Sequence, residues 1–278
     1  MGRKPVSDFE QLLTAVRFQL VFYLRTYRFL GLLILVLAIS GVVLGIDLYS
    51  GSAFIVAQDP TASGFLSGYL GNIGFAIILT AAFLGGDAIS IDFGTGSGYL
   101  LLVQPVRRRI LLFGRYIAAF LATVAVGLAY YLFGVVGALT FYGASGFPGP
   151  AFAASIGLAA LFAAAALAVA FLFSSFFRTP AVGMIVTVLA LYLGFSVVTG
   201  VVQIAGIEPW FSLTYAGQAI SGVLDPNFTH ETVTHLGRRF TLTSFSPYPW
   251  EAIAILVGYW IVAFPLTWAI YERKETRG

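Results

Sequence analysis

The sequence contains no cysteine, only two histidines and few charges, and each scarcity removes a class of chemistry. Without cysteine there is no disulfide framework, no thiolate zinc or iron–sulfur site and no thiol nucleophile. Charged residues make up 10% of the chain against 59% hydrophobic, whereas a water-soluble domain carries roughly 25% charged residues. A soluble core is therefore excluded. Nothing matches G-x-x-x-x-G-K-[ST], so nucleotide binding by a P-loop is not expected. The net charge of +3 is not gathered into one basic run, which argues against a nucleic-acid partner.

What is present is a series of long apolar runs with charges at their ends. A helix needs roughly 20 apolar residues to cross about 30 Å of hydrocarbon, because unpaired backbone groups in lipid are costly. Phe29 to Ile46 is free of charge between Arg28 and Asp47. A second run precedes Asp87. Arg115 to Arg178 encloses a charge-free stretch too long for one helix, which Gly143 to Pro150 divides by a turn. Arg178-Thr179-Pro180 breaks the pattern again, and a last run lies between Glu251 and Glu272. The expected fold is an all-α integral membrane domain over 1–278, with six transmembrane helices near 29–47, 65–86, 117–141, 151–174, 180–204 and 251–271. Of the 15 Lys and Arg residues, only Arg238 and Arg239 fall on the outer side if the N-terminus is inside. The positive-inside rule thus places both termini in the cytoplasm of a cell that keeps this chain in its plasma membrane.

Before the first span, residues 7–28 read as an interfacial helix. Ser7-Asp8-Phe9-Glu10 has capping-box spacing, Phe9, Leu12, Leu13, Val16, Leu20 and Leu24 recur at helical intervals, and no signal-peptide cleavage pattern follows. A plain cytosolic helix is the alternative. Outside the membrane, the segment from Gly206 to Trp250 opens with Trp210, Phe211 and Tyr215, which suit an interfacial or re-entrant helix.

Several short motifs tempt a catalytic interpretation. Gly143-Ala144-Ser145-Gly146 matches the G-x-S-G of rhomboid-type intramembrane proteases, but the base that a serine needs is not available from a membrane helix, because His230 and His235 both lie in the outer segment. His230 to His235 resembles H-E-x-x-H with one residue too many, which puts the rings on different helix faces and leaves a solvated loop. Asn227-Phe228-Thr229 is a glycosylation acceptor pattern. Gly94, Gly96 and Gly98 suggest a phosphate cradle without the strand and helix it needs, and Gly41 with Gly45 has the spacing of close helix packing or of chance. The spans hold Asn72, Thr80, Thr123, Thr187, Ser196 and Thr267 in place of the midplane charges that ion-coupled transporters use. No catalytic, cofactor or metal site is expected on this chain.

The connection between the second and third spans carries the most specific pattern. It has an acidic, glycine-bearing stretch (Asp87-Ala88-Ile89, Asp92, Gly96-Ser97), an apolar run from Tyr99 to Val103, Pro105, then Arg107 and Arg108, with Ile110 to Arg115 leading into the next span. This resembles the cytoplasmic loop of ABC-2-type permeases, the membrane subunits of ABC transporters. Ser97 stands where threonine is common and Asp92 where glutamate is common. The likeness extends to the chain length, the leading helix, the six spans and Ser212 to Val223, which is similar to the family's re-entrant region. The resemblance implies a permease dimer, from identical or paralogous chains, above two cytoplasmic ATPase subunits that bind ATP and magnesium. It also implies that Asp87, Asp92, Gly96, Ser97, Pro105, Arg107 and Arg108 belong to a coupling helix that docks on the ATPase. A membrane scaffold and an intramembrane enzyme are the competing classes, and lipid snorkelling is the simpler use of the arginines.

Overall fold

The computed structural model describes residues 7–91, 108–236 and 240–273. Ser7 starts the first helix, α1 (Asp8–Arg25), by the expected capping box: its hydroxyl accepts from the Glu10 amide at 3.2 Å, and the Glu10 carboxylate accepts from the Ser7 amide at 3.2 Å. Tyr27, at φ 56°, sits in the left-handed region and turns the chain into α2 (Arg28–Ser50). A short helix α3 (Ser52–Gln58) follows at the far end of α2. The next crossing is made of α4 (Ala62–Leu70) and α5 (Ile73–Gly85), interrupted at Gly71-Asn72. Then come α6 (Arg108–Tyr142) and α7 (Gly149–Phe176), joined by a turn in which Gly143 has φ 71°. Pro180 occupies the first turn of α8 (Pro180–Val188), where its missing N–H costs nothing. A π-helical stretch, Leu189–Gly194, connects α8 to α9 (Phe195–Ile204). Two short helices, α10 (Leu213–Gly217) and α11 (Ala219–Gly222), precede the strands β1 (Glu231–Leu236) and β2 (Phe240–Phe245), and α12 (Pro249–Arg273) ends the fold.

Among the described residues six helical stretches are long and apolar enough to cross a membrane: Arg28–Ser50, Ala62–Gly85, Arg109–Tyr142, Gly149–Phe176, Pro180–Ile204 and Pro249–Arg273. The protein is an all-α, multi-pass membrane protein. Successive crossings alternate in direction, so Arg28, Arg109, Arg115, Arg178 and Arg273 gather at one end, the basic end, and the two strands lie at the other, the hairpin end.

The centre of the bundle is α4–α5 with α7. Each has 61% of its apolar stretch buried within the chain, against 22%, 17% and 22% for α2, α8–α9 and α12, which form the periphery. Small residues make the centre possible. A Cβ on Gly85 would lie 2.9 Å from that of Ala170, so the α5 and α7 backbones approach as closely as alanine and glycine allow. Gly41 and Gly45 do not work as a pair, since a Cβ on Gly45 would meet nothing within 4 Å. Helix α1 does not float free of the bundle: Gly114 of α6 leaves room for Ala15, and the buried Tyr23 hydroxyl donates to the Leu84 carbonyl at 3.1 Å.

Hydroxyls in the spans mostly satisfy themselves on their own helix. Thr80, Thr187 and Thr267 donate to the carbonyls of Ala76, Gly183 and Ala263, four residues back, at 2.6–2.8 Å. Tyr131 and Ser155 share a hydrogen bond of 2.7 Å, and Ser155 also donates to the Ile220 carbonyl at 2.6 Å, fixing α11 against α7. Helices α10 and α11 thus enter and leave at the hairpin end, packed on α4 and α7.

The β-hairpin corrects the solvated loop expected around His230. Glu231 pairs with Phe245 and Leu236 with Phe240 in an antiparallel register. The alternation of β-branched residues in Glu231–Leu236 and Phe240–Phe245 is a strand signal.

Candidate functional site

The start of the inter-span connection, Gly86 to Ile91, is built into the basic end by four different helices. Asp87 is buried, and Arg28 of α2 reaches it through Nη1 to form an ion pair with Oδ2. Burial pushes the Asp87 carboxyl up from its ordinary range, and the Arg28 guanidinium opposes that shift without cancelling it. The Arg115 guanidinium on α6 donates to the Ala88 carbonyl at 2.7 Å. On α7, the Ser174 hydroxyl accepts from the Ile89 and Ser90 amides at 3.0 and 3.1 Å. Ser90 in turn donates to the Asp87 carbonyl at 3.3 Å.

The fourth helix, α8, makes its contact without a side chain. A Cβ on Gly183 would lie 2.5 Å from the Gly86 carbonyl oxygen, and one on Gly86 would lie 3.0 Å from the Met184 Cα. Only glycine at both positions lets the backbones touch. Tyr23 of α1 closes the arrangement from the side, with its hydroxyl on Leu84 and its own ionisation pushed up by burial. Every polar backbone group named here that leaves α5 has a partner, as burial in an apolar setting requires. This is a socket: Gly86 to Ile91 cannot shift without moving α2, α6, α7 or α8.

Of the residues singled out from sequence, Asp87 is at the centre of this socket. Asp92, Gly96, Ser97, Pro105 and Arg107 lie outside the described residues. Arg108 opens α6, and its side chain is likewise outside the described set. The neighbouring Arg109 ties the beginning of α6 to the end of α12, with Nε 3.3 Å from Glu272 Oε1 and its guanidinium 4.8 Å above the Trp268 ring. Both partners of that ion pair are exposed, so it contributes little.

Sequence reasoning missed Ser174 and the Gly86–Gly183 contact, and used Arg28 and Arg115 only to bound the spans and orient the chain. The available signals were modest. Ser174-Ser175 is a polar doublet closing an otherwise apolar helix, and Arg115 is a single charge within the first two turns of a span. At the hairpin end Thr199 was missed as well: its hydroxyl lies 2.5 Å from that of Ser212 and 3.0 Å from that of Thr214, holding α9 to α10. Ser145, the candidate nucleophile of the G-x-S-G motif, sits in the short turn between α6 and α7.

The arrangement has the properties of a mechanical joint, with buried backbone bonded to Arg115 and Ser174 at the root of a connection that runs between two spans. A comparison with curated proteins finds no match. A family model described as ABC-2 family transporter protein matches residues 46–269, from the last turns of α2 through both central helices and the hairpin into α12, and the chain therefore belongs to the ABC-2 family of transporter proteins.

Proposed function

We propose that this chain is the permease subunit of an ATP-driven exporter, energised by a separate cytoplasmic ATPase that docks on Asp87 to Arg109. In this reading the basic end faces the cytoplasm, both termini are inside, and the chain lies in the plasma membrane. A second permease, identical or paralogous, completes the membrane unit. ATP and magnesium belong to the ATPase, and the chain itself catalyses nothing.

The socket around Asp87 is the observation that supports this most. A coupling element must transmit a push, and a push is transmitted only through contacts that are short, buried and directional. Gly86 to Ile91 has such contacts to α2, α6, α7 and α8. Of these, α2 and α8 belong to the least buried crossings, which are the ones freest to move against the centre. Asp92, Gly96, Ser97, Pro105, Arg107 and Arg108 would then form the part that the ATPase grips, with the arginines meeting an acidic groove.

The test is co-purification of the chain with a P-loop ATPase from its native membrane in mild detergent, followed by ATP hydrolysis. The chain alone should hydrolyse no ATP and the complex should. Hydrolysis retained by the isolated chain through stringent purification would refute the proposal.

A further inference from the structure

We propose that Glu208, His230 and Glu251 form a binding site for a divalent transition-metal ion, of the zinc class, at the hairpin end. The three residues come from three separate stretches: the segment between α9 and α10, the residue before β1, and the first turn of α12. One ligating atom from each lies within 4.8 Å of the others. The spacing is that of a site and not of a run of acidic residues, because the central member is an imidazole.

The hydrogen bonds around the cluster orient each residue so that one ligating atom stays free. His230 Nδ1 is 2.8 Å from the Ser246 carbonyl, which can only accept, so Nδ1 carries a proton and, in the neutral ring that binds a metal, Nε2 presents the lone pair. Nε2 faces Glu208 Oε2 at 3.7 Å, too far for a direct hydrogen bond. Two ligands at 2.0–2.1 Å from a tetrahedral ion are about 3.4 Å apart, so a small movement would seat an ion between them. The other oxygen of Glu208, Oε1, accepts from the Tyr215 hydroxyl at 2.6 Å, which fixes the carboxylate. Glu251 is held by the Tyr248 amide, which donates to its Oε2 at 2.9 Å. The Tyr248 ring stacks on the imidazole with centroids 4.7 Å apart and planes 12° from parallel. A ligating histidine whose second ring N–H donates to a carbonyl, beside a ligating carboxylate that is itself hydrogen-bonded, is the usual outer-shell pattern of a metal site.

All three residues are partly exposed, which gives an ion a path from solvent. One histidine and two carboxylates leave at least one position for water on a four-coordinate ion. Bound there, the ion would join the hairpin and the α9–α10 segment to the start of α12. It would thus brace the cap over that end of the bundle. The proposal does not depend on the transport reading.

The experiment uses the full chain in detergent, purified through a histidine-free tag, with zinc measured by equilibrium dialysis. Cobalt(II) absorption serves as a second probe, uncomplicated because the chain has no cysteine. The parent should bind one ion per chain, and the bound ion should raise its thermal midpoint. His230→Ala should abolish both effects. Glu208→Gln and Glu251→Gln should weaken binding, and Tyr248→Ala should do so by roughly tenfold through the lost support of the ring. Glu231→Gln, an exposed carboxylate next in sequence to His230, should bind as the parent does. Failure of the parent to bind zinc or cobalt stoichiometrically would overturn the proposal, a result that needs no variant to fold. Equal affinity in a His230→Ala protein that elutes and melts like the zinc-free parent would overturn it too.

Discussion

At Asp87 burial raises the carboxyl's pKa and Arg28 works against it, so the ion pair relieves a cost that burial imposes. Removing only the guanidinium leaves that cost in place. Breaking a fully buried pair costs roughly 3–5 kcal/mol. Because the Arg28 side chain is 33% exposed, Arg28→Ala should cost less, about 2 kcal/mol. Adding Asp87→Asn removes the stranded charge, so the double variant should be more stable than Arg28→Ala alone. Thermal unfolding of the four proteins in one detergent measures the cycle, and additive losses would contradict the pairing. The pKa shift also fixes the sign of one pH effect. The folded carboxyl binds its proton more tightly than the unfolded one, so this group's contribution to stability falls as pH rises from the unfolded value to the raised one, and is flat beyond. Asp87 was legible in the sequence because its pattern is local. Its partners were not: Arg28 is 59 positions away and Ser174 is 84 positions from Ser90, separations no local periodicity encodes.

Elements meet here through glycine. Gly183→Ala would place a Cβ 2.5 Å from the Gly86 carbonyl oxygen, and backbone cannot swing aside as a side chain does. A loss of about 1–3 kcal/mol is expected, together with weaker coupling, since α8 would be pushed off the socket. Gly45→Ala, facing open space, should be neutral or slightly stabilising because alanine is the better helix former. Melting temperatures of both variants check this, and a Gly183→Ala protein as stable as Gly45→Ala would show that α8 does not bear on the loop. The six long apolar helices were readable from charge-free runs, which the cost of unpaired backbone in lipid makes nearly obligatory. The interruption at Gly71-Asn72, the π-helical stretch Leu189–Gly194 and the hairpin were not read. The first two lie inside runs whose hydropathy stays high, and the third is a soluble-type element attached to a membrane chain.

For the whole molecule, the proposed function puts the basic end in the cytoplasm and the hairpin end outside. The chain has no cysteine, so single substitutions report cleanly: Asn227→Cys should react with an impermeant thiol reagent added outside intact cells, and Thr179→Cys should not. Labelling of Thr179→Cys from outside would invert or break the proposed topology. In the proposed function, force enters through the connection after α5. The most direct measurement reconstitutes the chain with its ATPase and compares the parent with a variant carrying Arg107→Glu and Arg108→Glu, reading ATPase retention and substrate-dependent ATP hydrolysis together. Reversed charge at close contacts is costly, while the spans are untouched. Normal membrane insertion is expected, with a loss of at least tenfold in ATPase retention, equivalent to about 1.4 kcal/mol, and a matching loss of stimulated hydrolysis. A variant that retains and stimulates the ATPase as the parent does would contradict the proposal.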